Sequence, residues 1–253
     1  NSFGQNNLGV ILRNIDPEKA KLLFSLSASQ NNLSGMNNYG LMLLKSDTEK
    51  NKEEALSLFK AAADQGHPNA MYNYASLIIK ELKKGVVIFD VQEDSTTEKS
   101  CEISLDSVME KYMKVSADLG DVDAMNSYAS YLVKNKGDFK KAEVYFRNAV
   151  ELGSSTAMNK LASLIKVELD NKIDLESGED VENAKNDMLN LYHKSVNLDN
   201  TNAMNNLAAL YYSGVYVEKN VGKAKEILKR AMELGNLKAT KNYNTLCSPK
   251  KKK

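Results

Sequence analysis

One short segment recurs seven times in this 253-residue chain, and no other feature restricts the fold as much. The copies are Gly4-Gln-Asn-Asn-Leu-Gly9, Gly35-Met-Asn-Asn-Tyr-Gly40, Ala70-Met-Tyr-Asn-Tyr-Ala75, Ala124-Met-Asn-Ser-Tyr-Ala129, Ala157-Met-Asn-Lys-Leu-Ala162, Ala203-Met-Asn-Asn-Leu-Ala208 and Ala239-Thr-Lys-Asn-Tyr-Asn244. Their start-to-start spacings are 31, 35, 54, 33, 46 and 36. A period in the thirties marks a supersecondary unit that cannot bury its apolar face alone and must stack on its neighbours. With only 13 glycines and 3 prolines, and almost no alternating pattern, that unit has to be helical.

A second amphipathic segment follows each copy, clearest in Glu54–Gly66, Lys141–Gly153 and Lys223–Gly235. These segments end in a column that reads Asn31, Gly66, Gly120, Gly153, Asp199 and Gly235. All six are residue types that tolerate the left-handed conformation of a helix stop. In every case the next copy starts four residues later, so the spacing predicts a helix pair with one fixed turn between pairs.

The pattern of Ala, then Leu/Tyr-Gly/Ala four positions on, then Lys-Ala before a helix closed by Ala-x-x-x-Gly, resembles the Sel-1-like repeats, relatives of tetratricopeptide repeats. Ala203 to Gly235 resembles them best, through Leu207-Ala208, Tyr211, the Gly214-Val-Tyr-Val217 loop and Lys223-Ala224. The Trp-Tyr pair typical of the family's second helix is replaced by Leu23-Phe24, Leu58-Phe59, Tyr112-Met113, Tyr145-Phe146, Leu191-Tyr192 and Ile227-Leu228, which marks a divergent member. The resemblance implies an all-α fold: a right-handed α-solenoid superhelix of about six helix-pair repeats plus a C-terminal capping helix. Residues 1–247 then form a single solenoid, with repeats starting near 4, 35, 70, 124, 157 and 203 and a cap near 238–246. Residues 248–253 form a basic tail. The first copy begins without a polar capping helix, so the chain is expected to be a fragment.

The long spacings place insertions near 85–103 and 167–180. The first holds the β-branched run Gly85-Val-Val-Ile-Phe-Asp-Val91, which reads as a loop covering nearby helices or as a strand or docking arm. The second holds Glu168, Asp170, Asp174, Glu176, Glu179 and Asp180 against Lys172 and reads as a solvated acidic loop, without the ligand spacing of a calcium loop.

Composition removes several classes of function. Basic and acidic side chains balance at 34 and 33, four of the lysines sit at the extreme end, and the only arginines are Arg13, Arg147 and Arg230, so no nucleic-acid-binding face is expected. No apolar run approaches a membrane span, and membrane insertion is not expected. Cys101 and Cys247 make neither a disulfide framework nor a metal spacing, which points to a reducing, cytoplasmic location. His67 and His193 have no partner at triad or metal-ligand spacing. No catalytic residue, cofactor or metal site is expected.

The candidate binding residues form a column. Counting from the first small residue of each copy, positions 1, 5, 8 and 9 make the apolar face, extended by 2 and 6. Position 3 falls about 140° away and reads Asn6, Asn37, Tyr72, Asn126, Asn159, Asn205 and Lys241. Asparagine disfavours helix interiors, so five copies in one column ask for a reason. In related tetratricopeptide superhelices, first helices line a concave surface where such a ladder can hold an extended peptide by its main chain. Asn6, Asn37, Tyr72, Asn126, Asn159 and Asn205 are therefore the candidate contacts, with Tyr72 the expected hot spot. Against this, asparagine fills 28 of 253 positions, so the column can also reflect composition or bond helix to helix. The expected function is a non-catalytic scaffold or adaptor for a protein or peptide partner. A regulatory or targeting region of a larger enzyme, for example a kinase, and a structural component of a large assembly stay open beside it.

Overall fold

The predicted helix stops form one turn built six times. A computed structural model describes residues 1–46, 48–86, 89–91, 100–173 and 177–247. Asn31, Gly66, Gly120, Gly153, Asp199 and Gly235 all adopt positive φ, between 57° and 96°. At each, the next residue's N–H returns to a carbonyl five positions back, as in His67 to Ala62 at 3.1 Å and Asn236 to Ala231 at 3.0 Å. That next residue then caps the following helix. Asn32, His67, Asp121, Ser154, Asn200 and Asn236 each accept, through the side chain, the N–H of the repeat's first small residue. One left-handed residue and one cap thus end a helix and start the next, which explains the constant four-residue connection.

The described chain divides into two compact units, Asn1–Tyr131 and Leu132–Lys253. In the first, α1 (Ser2–Leu12), α3 (Leu33–Leu43), α5 (Pro68–Leu82) and α8 (Val122–Tyr131) are first helices. Between them run α2 (Pro17–Ala28), α4 (Glu49–Asp64) and a segment made of α6 (Leu105–Val108), a π turn at Met109–Met113 and α7 (Lys114–Asp118). The second unit opens on a π turn at Leu132–Lys136. It continues through α9 (Phe139–Glu151), α10 (Ser155–Asn171), α11 (Gly178–Asn197), α12 (Thr201–Ser213), α13 (Val221–Glu233) and α14 (Leu237–Cys247). Consecutive helices pack on each other within each unit. This is the all-α, helix-pair solenoid that the repeat predicts.

The core follows the predicted register. Position 1 is fully buried at Ala70, Ala124, Ala157 and Ala203, and position 5 at Tyr128, Leu161 and Leu207. The second member of each aromatic or aliphatic pair on the second helices, Phe24, Phe59, Met113, Phe146, Tyr192 and Leu228, is buried as well. Between helices, the buried hydroxyls of Ser27, Ser116 and Ser195 donate to the carbonyls of Ser2, Pro68 and Ser155, pinning a second helix to the first turn of its partner.

Both insertions differ from a plain loop. In the first, β1 (Phe89–Val91) pairs antiparallel with β2 (Ser100–Glu102), Asp90 opposite Cys101, so the strand reading holds for that part. The second is mostly helix, a correction to the acidic loop. Glu168 and Asp170 lie on α10, while Glu179 and Asp180 occupy the first turn of α11, where the helix dipole and a Ser177–Asp180 capping box favour them. Asp174, Glu176 and the lysine tail lie outside the described residues.

Candidate functional site

Position 3 does not stand out toward solvent as its helical phase predicts. Asn6, Asn37, Asn126 and Asn205 are only 4% to 8% exposed, and Asn159 and Tyr72 are half-buried. The cause is a seam between successive first helices. The position-4 asparagine of the next repeat reaches back and donates to the position-3 carbonyl: Asn38 to Asn6 at 2.8 Å, Asn73 to Asn37 at 2.7 Å, Asn206 to Asn159 at 3.0 Å and Asn242 to Asn205 at 2.9 Å. The ladder therefore bonds helix to helix, two rungs in each unit. Phase within one helix could not show this, because the burial comes from the neighbouring repeat. A pairing signal was nonetheless present: position 4 is Asn after Asn6, Asn37, Asn159 and Asn205, and Ser127 after Tyr72.

A rung consumes only half of each amide. An asparagine side chain offers two donors and an acceptor with two lone pairs. In the rung of Asn37 and Asn73, the position-3 Nδ2 and the position-4 Oδ1 make no hydrogen bond among the described residues, and the same is true of Asn159 and Asn206. Each of these rungs opens on a cleft. In the first unit a cleft of about 440 Å³ runs along the first helices past Asn6, Asn37, Asn38, Tyr72 and Asn73 to Asp121 and Asp123. In the second, a cleft of about 450 Å³ is lined by Asn206, Ser163, Tyr192, Lys166, Asp170 and Val215 among others. There the loop after α12 is held down by Tyr216, whose hydroxyl donates to Asp170 at 2.6 Å. Burial and that bond push the Tyr216 phenol up to about 12.

His67 borders the first cleft as a helix cap. Its Nδ1 accepts the Ala70 N–H at 3.2 Å and its Nε2 lies 3.2 Å from the Ser34 hydroxyl, so the ring is neutral with its proton on Nε2. Burial lowers its pKa from 6.5, against the opposing pull of Asp121, and burial also lowers that of His193 on α11. A histidine held neutral in the fold contributes stability that is present above the unfolded value of 6.5 and is lost as pH falls through and below it. Asp121, raised above 3.8 mainly by burial, acts in the opposite sense and in a lower pH window. Thermal midpoints should therefore fall between pH 7.5 and about 5.5. His67→Asn, which keeps a cap of the kind found at Asn32, Asn200 and Asn236, should flatten part of that fall. An unchanged slope would show that the His67 ring does not titrate against folding.

No described helix is long and apolar enough to cross a membrane. Repeated helix pairs, a turn rebuilt six times and a bonded seam between first helices define a helical-repeat protein of the solenoid class. The Sel1 repeat matches residues 2–32, 33–67 and 201–236, so this is a solenoid that carries Sel1 repeats. The matched stretches are copies with near-regular spacing, and both insertions fall between them. Among solved structures, the fold is similar to a protective antigen of uropathogenic Escherichia coli strains displaying an SLR fold (TM-score 0.74, 21% identity, 97% of this chain and 49% of that one). It is also similar to a Sel1 repeat protein from Oxalobacter formigenes (0.68, 22%, 91% and 85%). A third likeness is to the Cut9-Hcn1 hetero-tetramer of the APC/C (0.57, 12%, 98% and 46%). This chain thus spans about half of the E. coli antigen's length. No curated protein matches it in sequence.

Proposed function

We propose that the chain is a non-catalytic scaffold or adaptor that holds an extended segment of a protein partner along its first-helix surfaces. Sel1 and tetratricopeptide-like repeats generally mediate protein–protein interaction, and the similar Cut9-Hcn1 fold is itself an assembly of two proteins. The observation that carries the reading is the half-used rung. Asn37 keeps its Nδ2 donors and Asn73 its Oδ1 acceptor beside the same cleft, a donor and an acceptor group that complement a peptide unit. Tyr72 beside them adds contact area at low entropic cost. The two cysteines fit a cytoplasmic setting, since Cys247 is a free, exposed thiol.

The test is main-chain recognition. Extended peptides selected on the intact protein should lose affinity when single backbone amides are N-methylated. Asn37→Ala and Asn159→Ala should each weaken binding by roughly 0.5 to 1.5 kcal/mol, about two- to tenfold, with helicity preserved. Deleting residues 86–97 should change little. Binding that survives both N-methylation and the asparagine variants, yet disappears with the deletion, would move the contact to the β1–β2 insertion and favour a component of a larger assembly.

A further inference from the structure

We infer that the loop after α12 is a strap that gates the second unit's cleft, and that the bond from Tyr216 to Asp170 is its latch. The strap has a narrow neck. Gly214 (φ 76°) leaves α12 with its N–H on the Leu210 carbonyl at 2.9 Å, and the Asn220 N–H returns to the Tyr211 carbonyl at 2.8 Å. The two sides nearly touch, since a Cβ on Gly214 would sit 2.9 Å from the Lys219 Cβ. Beyond the neck the Val215 N–H donates to the Ser213 hydroxyl at 3.3 Å, within the same loop, and the Tyr216 hydroxyl donates to Asp170 Oδ1 at 2.6 Å. Among the described residues, this last is the strap's one hydrogen bond to another repeat.

Backbone conformation sets this bond apart from an ordinary surface contact. Tyr216 holds φ at 67°, in the left-handed region that a bulky side chain rarely occupies. Asn31, Lys172 and Asp199, the other described non-glycine residues there, each serve as a helix stop, a task that Gly214 already performs for α12. A tyrosine held so makes a two-state element: once the phenol lets go, φ is free to return to the region side chains prefer. The catch is equally specific. Asp170 stands near the end of α10, in the long spacing between the fifth and sixth copies, and its carboxylate is divided: Oδ1 takes the phenol and Oδ2 takes Lys166 Nζ at 2.5 Å. Lys166 Nζ also lies 5.9 Å from the centroid of the Tyr216 ring. The Tyr216 phenol, pushed up to about 12 mainly by burial, stays protonated and able to donate. Lys166, Asp170 and Val215 line the cleft together with Leu210 and Tyr192, which are 3% and 1% exposed. With the latch made, Val215 is one wall beside them; with it released, that wall swings about Gly214 and the cleft widens onto two buried side chains. The gate stands on the strap's own geometry and does not depend on a peptide being the ligand.

The experiment compares the whole protein with Tyr216→Phe, which removes the hydroxyl and keeps the ring. Dilute trypsin, with the cuts mapped by mass spectrometry, reads the open strap at Lys219, which is exposed at the neck. Cleavage there tracks the open population when the strap closes faster than it is cut. It should rise about three- to tenfold in Tyr216→Phe, the range for one lost bond to a charged group near the surface. Asp170→Ala should raise it as much, and the double variant no further, because the two residues make one contact. A soluble gadolinium chelate, followed by NMR, reads the gate. The Leu210 methyl signals should broaden faster in both single variants, while those of Leu161 and Leu207, 0% and 1% exposed, stay as they are. Equal cleavage at Lys219 in every variant overturns the latch. Increases that multiply in the double variant overturn the pairing of Tyr216 with Asp170. Faster cleavage with Leu210 as shielded as before overturns the gate, and broadening that extends to Leu161 and Leu207 overturns it too, because the core itself has then loosened.

Discussion

Tyr128→Ala should cost about 3 to 5 kcal/mol and release the first unit's α7 and α8 to rapid hydrogen exchange. Tyr128 is 0% exposed, one of two tyrosines among the fully buried side chains of the described residues, and its ring stacks beside Tyr131 with centroids 6.0 Å apart. Deleting that ring empties a position-5 site where a first helix meets the preceding second helix. The lost contacts therefore belong to an interface between repeats, and the damage should spread to α5. The hydroxyl is a smaller matter. It donates to the Glu110 carboxylate at 3.0 and 3.1 Å, but Glu110 is exposed and can return to water. Tyr128→Phe should thus cost only about 0.5 to 1.5 kcal/mol. Exchange in α7 and α8 unaltered by Tyr128→Ala would mean that position 5 does not hold the stack.

Tyr128 also shows which parts of the molecule were legible. Its place in the core follows from 3.6-residue periodicity within one helix, as do Leu161, Leu207 and the small residues at position 1. Six helix stops were readable because a left-handed residue needs a rare side chain, and the sequence offers Gly, Asn or Asp at each. The asparagine column was legible as a column and misplaced in space. Helical phase measures the angle from one helix's own apolar face, and Asn37 is buried by Asn73 on another helix 36 residues on. The place of Asp121 is hidden in the sequence for a related reason. Capping position explains it completely until α5 brings Asn69 and the cleft to the same carboxylate. The acidic insertion misled because charge density suggested a loop, whereas Glu179 and Asp180 are placed where a helix start rewards acids.

The second large effect lies at position 6, where the first two repeats carry Gly9 and Gly40 and the later ones carry Ala75, Ala129, Ala162 and Ala208. A Cβ built on Gly40 would sit 2.6 Å from the Phe59 ring, and one on Gly9 would sit 2.7 Å from Phe24. Both rings are buried, at 0% and 1% exposure, so neither can swing away freely. Two terms then compete in Gly40→Ala. Helix propensity favours alanine by roughly 0.8 to 1.0 kcal/mol. Overpacking a dense core opposes it by about 1 to 3 kcal/mol, and at 2.6 Å the overlap should win. Gly40→Val adds two more methyl groups against the same ring and should cost about 3 kcal/mol or more. The sixth repeat suggests the remedy, since Ala208 occupies the small position there and Leu228 the place of the phenylalanine. Phe59→Leu alone should destabilise by leaving a void. Combined with Gly40→Ala, the void receives the new methyl and the propensity gain survives. The double variant should therefore be more stable than the sum of its parts by about 1 kcal/mol or more, the range for residues in contact. Strict additivity in urea denaturation would show that Gly40 and Phe59 do not share one packing site.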